Sequence, residues 1–170
     1  MKFNGEKIRA MAEDDLVLPR PDGKHLTFHV RALGLGEDAE AKKLFPDPEA
    51  PYGFYKDDRG RPLRDPDTGK TEAGPLFSEP GFLAAVDRAE RMRMIVKFVK
   101  ALDADSRITW DAPGEGVDFY AACETEIRES GITDGDMNLV LRRAFQLGNL
   151  DSDSIKRAAE AFSERERAHE

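Results

Sequence analysis

Gly34-Leu35-Gly36-Glu37-Asp38-Ala39 carries the glycine spacing of a dinucleotide-binding turn, in which backbone N–H groups at a helix N-terminus meet a pyrophosphate. Glu37 and Asp38 oppose that use. Two carboxylates at the helix start repel a phosphate, and the proline-rich stretch after the helix supplies no second parallel strand. The segment reads as a plain strand-to-helix turn. Gly69-Lys70-Thr71 has the look of a phosphate-binding loop's end, but Arg64 stands where its first glycine is needed. Asp65-Pro66-Asp67-Thr68-Gly69 begins like a calcium loop, yet its glycine comes one residue early and Leu76 takes the place of the bidentate glutamate. Both read as hydrophilic loop.

Side chains that could ligate or attack are equally sparse. His25 and His29 are four apart; on the strand that their neighbours predict, this separates them by ~13 Å at ~3.3 Å per residue, too far for one metal. They read as exposed strand residues, and His169 sits in a charged tail. Cys123 lies beside Glu124 with no histidine near it in sequence, so a buried, inert thiol is expected. Asp134-Gly135-Asp136 is a helix start. Arg88, Arg91, Arg93, Lys97 and Lys100 enrich one helix in positive charge. They are expected to form a solvated face paired with Asp87, Glu90 and neighbours; a docking surface for an acidic partner is the sharper alternative. No catalytic constellation, cofactor site or metal site emerges, and a non-enzymatic protein is expected.

Composition sharpens these exclusions. The chain has 170 residues and a formal net charge of −8, which argues against a binder of nucleic-acid phosphates. One cysteine excludes an internal disulfide and a multi-cysteine zinc site. Met1-Lys2-Phe3-Asn4-Gly5-Glu6-Lys7 has no apolar run behind its lysines, so no signal peptide is expected. No stretch approaches the ~18 apolar residues of a membrane span, and a cytoplasmic location is expected.

The elements follow from periodicity. Leu26, Phe28 and Val30 alternate with polar residues after the Pro21-Asp22-Gly23 turn, predicting a hairpin of Leu16–Pro19 with 24–32, to which Phe3–Ile8 could add a strand. Glu37–Phe45 is a short helix stopped by Pro46. Residues 46 to 75 hold repeated Pro and Gly and predict a long, poorly structured connector, with Tyr52, Phe54 and Tyr55 available to pin it to the body or to a partner. Ser78 is expected to cap a long helix with an apolar stripe through Phe82, Val86, Ala89, Met92, Val96 and Val99. Ile95, Phe98 and Leu102 widen that stripe, so this end is expected to be buried on two sides. Ile108-Thr109-Trp110 reads as a β-like segment with Trp110 as a core anchor. Three further helices are expected. The first runs over 116–130, with Val117, Tyr120, Ile127 and Cys123 or Glu124 on its face. The second runs from Thr133 or Asp134 to Leu147, with Met137, Val140, Leu141, Ala144 and Phe145 inward. The last starts at Asp151 or Ser152, with Ile155, Ala159 and Phe162 as its stripe.

This pattern predicts an α+β fold, a small N-terminal antiparallel β-hairpin packed with a mainly α-helical C-terminal half. The expected organisation is a β-rich lobe with its short helix over 1–45, a connector over 46–77, a helical lobe over 78–164 and a charged tail over 165–170.

The order of segments resembles the tail assembly chaperones of long-tailed, siphovirus-type bacteriophages and prophages. The matching features are the opening Met1-Lys2-Phe3-Asn4-Gly5, the strand Leu16-Val17-Leu18-Pro19-Arg20, the Asp22-Gly23 turn and the short helix ending in Phe45-Pro46-Asp47-Pro48. The long helix leading to Ile108-Thr109-Trp110-Asp111, the Glu126 to Thr133 turn, and Ile155, Ala158 or Ala159 and Phe162 complete them. The family pattern has a cysteine where Phe45 stands, and the loop from Asp57 to Gly74 has its own composition. The resemblance implies a non-catalytic protein of the bacterial host's cytoplasm, absent from the finished virion. Such proteins keep the aggregation-prone tape measure protein soluble before tail tube protein polymerises around it. Self-association is possible within that role; nucleic acid and membrane are not expected partners. Phe145, Leu147, Leu150, Ile155 and Phe162 on the last two helices either meet this client or close the chain's own core. The alternative function is a structural head–tail connector or tail completion protein of the virion.

Overall fold

In the computed structural model, Glu13–Pro19 (β3) and His25–Arg31 (β4) form an antiparallel hairpin in the register Leu16↔Phe28 and Leu18↔Leu26. The structure describes residues 2–3, 6–7, 12–20, 22–34 and 36–148. The alternation of Leu16, Leu18, Leu26, Phe28 and Val30 puts these side chains on one face, and that face packs on the helices. β3 begins three positions before the expected Leu16. Glu13, Asp14 and Asp15 carry no apolar signal and are held in the strand by charge partners: His29 for the first and third, Arg143 for the second. The extra N-terminal strand does not join this hairpin. Lys2–Phe3 (β1) and Glu6–Lys7 (β2) pair with each other instead.

Helix α1 spans Glu37–Leu44, with acids in its first turn and Lys42 and Lys43 in its last, as the helix dipole favours. Helix α2 spans Pro80–Ala101. Its N-cap is Glu79 rather than the expected Ser78, with no side-chain cap; Pro80 supplies the preset φ of a first helical residue. Along its second half Met92, Ile95, Val96, Phe98, Val99 and Ala101 are all buried, the two-sided burial that the widening stripe predicted. Helix α3 spans Gly116–Glu129 and α4 spans Asp134–Leu147. Gly131, with φ +75°, makes the reversal between them. A capping box starts α4: the Thr133 hydroxyl accepts from the Asp136 N–H while the Asp136 carboxylate accepts from the Thr133 N–H.

The fold is α+β, with hairpin and helices sharing one cluster of buried side chains. Phe28 of β4 meets Phe98 of α2 edge to face, ring centroids 6.4 Å apart. Ion pairs fasten the hairpin to α4, from Arg20 to Asp136 at 2.7 Å and from Asp14 to Arg143.

Two regions differ from expectation. Among the described residues Ile108-Thr109-Trp110 pairs with no strand, and Trp110 is half-buried at the rim of the core. Residues 46–77 are not structureless. Tyr52–Phe54 (β5) pairs with Ala73–Pro75 (β6), and two shorter loops close beyond them through the bridges Lys56↔Pro62 and Arg64↔Thr71. Three main-chain bonds join the branches: Tyr55 N–H to Glu72 O, Leu63 N–H to Tyr55 O and Glu72 N–H to Leu63 O. The Asp57 carboxylate accepts from the Arg59 and Arg61 N–H groups, and the Asp65 carboxylate from those of Asp67 and Thr68. Such Asx turns give a Pro/Gly-rich loop its own scaffold. Gly74 is required at the junction, because a Cβ there would sit 2.9 Å from the Tyr55 ring carbon Cζ. The expected last helix from Asp151 or Ser152, with Ile155, Ala159 and Phe162, lies outside the described residues, as does the tail.

Candidate functional site

Several of the residues weighed for chemistry have partners within the fold. At the Gly34–Ala39 turn, the Glu37 carboxylate itself occupies the helix start. It accepts from the Gly34 N–H and pairs with Arg31 at 2.8 Å. A phosphate would meet that carboxylate first. The Asp65 segment is the turn described above, with its carboxylate already bonded to main chain. Among the described residues no group of three or more His, Cys, Asp or Glu side chains is placed to hold a metal ion. No described helix is long and apolar enough to cross a membrane.

His29 lies between two carboxylates across the hairpin, Nδ1 2.8 Å from Asp15 Oδ1 and Nε2 3.2 Å from Glu13 Oε2. Asp15, then Glu13, raise its pKa above the ordinary imidazole value. The carboxylates sit at opposite ends of the ring, so this is an ion-pair ladder rather than a ligand set. The open edge of β4 is sealed beside it. The His29 N–H donates to the Asp105 carboxylate at 2.8 Å, and Arg107 donates to the Thr27 carbonyl at 3.0 Å. Arg107 grips Asp105 and holds that carboxyl well below the usual range. Cys123 is fully buried in α3, and burial pushes its thiol up to about 12. That removes the thiolate a nucleophile needs.

The cationic residues of α2 do not pair with Asp87 and Glu90 as expected. They reach other elements. Arg88 and Arg91 converge on the buried Glu124 of α3 at 2.5 and 2.6 Å, and Arg93 pairs with Asp47 at 2.7 Å. Lys97 and Lys100 reach Asp38 and Glu40 of α1 at 2.5 and 3.4 Å. Burial opposes the Glu124 charge, but the Arg91 and Arg88 guanidiniums outweigh it and keep its pKa below the ordinary value. The basic face is therefore the glue between α2 and its neighbours. The shallow charged groove beside it, lined by Asp38, Asp47, Arg93 and Lys97, is filled with these internal pairs.

A second groove among the described residues is apolar. Its volume is about 360 Å³, and it runs between the end of α1, the Phe45-Pro46-Asp47-Pro48 segment, the first half of α2 and the start of α3. Leu44, Phe45, Pro48, Ala89, Met92 and Val117 line much of it, and Arg88 stands at its side. Val117 was expected inward and is instead 47% exposed at this groove. The groove is assembled from residues as far apart as Leu44 and Ala121, so no local pattern announces it.

Of the expected partner residues, Phe145 and Leu147 lie half-buried at the end of α4 and pack against the core. Leu150, Ile155 and Phe162 lie outside the described residues. A second apolar surface lies on the β5–β6 arm, whose side chains contribute nothing to the core: Tyr52 is 77% and Phe54 58% exposed. Of the two uses expected for this aromatic cluster, pinning to the body does not occur at these two side chains. Set against protein-family models, curated proteins and solved structures, the chain matches none of them.

Proposed function

We propose that this chain is a tail assembly chaperone of a siphovirus-type bacteriophage or prophage, binding the tape measure protein and keeping it soluble, without catalysis, until the tail tube assembles. The observation that carries the reading is the apolar groove between α1, α2 and α3 on an otherwise strongly charged, net acidic protein. A groove of this kind suits one apolar face of an amphipathic helix, read by anchors a turn apart. The net acidic charge of the chain supports solubility of a client complex. The order of segments in the sequence, from the Leu18-Pro19-Arg20 strand to the Glu126–Thr133 turn, supports the same family. Phe145 and Leu147, with Leu150, Ile155 and Phe162, are proposed as a further client contact. The cytoplasm of the host and absence from mature particles belong to the same proposal.

Co-expression with the neighbouring tape measure gene tests it. The expected result is tape measure protein in the soluble fraction and co-purifying with this chain. The Val117→Asp change, at an exposed wall of the groove, leaves the fold intact by circular dichroism and reduces the recovered client by about tenfold or more. Stoichiometric copies in purified virions, or unchanged client recovery with Val117→Asp, would overturn the reading or its site respectively.

A further inference from the structure

We propose that the open edge of β5 pairs with the same edge of a second copy of this chain, making an antiparallel dimer with its two-fold axis at Phe54. Ladder bonds consume one edge of this strand. Gly53 pairs with Gly74, Tyr55 N–H donates to Glu72 O, Leu63 N–H donates to Tyr55 O, Asp57 N–H donates to Arg61 O and Leu76 N–H donates to Pro51 O. In an antiparallel ladder the alternate residues then face the other way. These are Tyr52, Phe54 and, through the Lys56↔Pro62 bridge, Lys56. Among the described residues none of their main-chain N–H or C=O groups has a hydrogen-bond partner.

The edges of β3, β4 and β6 are interrupted. On β4, Asp105 takes the His29 N–H and Arg107 takes the Thr27 carbonyl. On β3, the Asp14 carboxylate takes the Asp15 N–H and Pro19 has none to offer. On β6, Pro75 lacks a donor and the Tyr52 hydroxyl donates to the Ala73 carbonyl at 3.3 Å. Proteins block edges in these ways to prevent pairing with other chains. β5 keeps an unbroken run of donors and acceptors, with exposed aromatic side chains beside it.

That run is self-complementary. With the axis at Phe54, each outward residue exchanges both N–H and C=O with its opposite: Phe54 with Phe54, and Tyr52 with Lys56. The two phenylalanine rings meet across the axis, an aromatic pair of the kind that stabilises cross-strand neighbours. Each Lys56 ammonium faces a tyrosine ring, which attracts a cation, rather than the other lysine. No like charges are opposed. A shift along the strand would leave part of the run unpaired, so this register uses the edge fully and closes as an isologous dimer.

Sedimentation equilibrium of the purified chain alone, up to about 1 mM, should show a reversible monomer–dimer equilibrium. The Phe54→Pro change removes the central outward donor without touching the inner ladder, which does not use it, and should weaken association by about tenfold or more. Circular dichroism and an unchanged thermal transition establish that the body still folds. Register is read by cross-linking. Opposed hydrogen-bonded residues have Cα atoms about 5.5 Å apart, within disulfide reach, so the Phe54→Cys variant should oxidise to a covalent dimer. The Tyr52→Cys variant should not, because its two sulfurs would be on strands offset by ~13 Å. A chain that stays monomeric, a dimer that persists with Phe54→Pro, or equal cross-linking at both positions overturns the proposal. So does protection of this edge only when the tape measure protein is present, which would assign it to the client.

Discussion

At Cys123 the neighbouring Glu124 hints at a raised pKa, and the thiol is raised, but the leading cause is burial, with Glu126 adding to it. The thiol of the folded protein should therefore react with a thiol-specific disulfide reagent at pH 8 more than about a hundredfold slower than in urea, measured by absorbance. His29 makes a second prediction. Asp15 and Glu13 raise its folded pKa above the ordinary value of 6.5. The charged form is favoured by folding, so its contribution is fully present below the unfolded value and is lost as pH rises through the folded one. The thermal midpoint should fall as pH rises above the ordinary imidazole value of 6.5, and His29→Gln should flatten that slope. An unchanged slope in scanning calorimetry would refute the ion-pair ladder.

The elements differ in what holds them. α4 is stapled at its start by the Thr133–Asp136 capping box and tied to the hairpin through Arg20 and Arg143. The arm depends on close approach. Tyr55 lies over Gly74 and Leu76 over Gly53, where an added Cβ would sit 2.8 Å from the leucine Cδ1. Gly74→Ala must push the Tyr55 ring away and loosen the junction at Tyr55, Leu63 and Glu72. Amide exchange at those residues should accelerate by about tenfold or more while α2 is unaffected, because no arm side chain belongs to the core. Equal acceleration in α2 would show that the arm and the body open together.

For the molecule as a whole, the aromatic contact between Phe28 and Phe98 crosses from hairpin to long helix within one buried cluster. Phe98→Ala removes the largest of the fully buried side chains and should cost about 3–5 kcal/mol. Urea denaturation should then show strand and helix signals lost in the same transition; two separated transitions would refute a shared core. The whole chain carries a net charge of −8, while the positive charges of α2 pair internally with Glu124, Asp38, Glu40 and Asp47.

Local signals carried much of this fold. Alternation marked the β3–β4 hairpin, Pro46 ended α1, the three–four spacing of apolar residues marked α2 and its doubly buried end, and Thr133 or Asp134 with the Asp134-Gly135-Asp136 signal marked the start of α4. Those are interactions between residues close in the chain, where spacing alone decides which side chains meet. The partners of Arg88, Arg91, Arg93 and Lys97 were not legible, because a charge beside acids at every distance along the chain has no preferred mate until the helices are packed. The arm's branches depend on turns closing onto one another, and the apolar groove depends on four separate segments arriving at one place. The sequence by itself determined the β3–β4 hairpin and the four helices from α1 to α4, and argued against the catalytic readings weighed there, but it did not announce the β5–β6 arm. Tertiary structure alone decided which charges pair, which apolar positions stay uncovered and which strand edge is left open, since each of these is a meeting of residues far apart in the chain.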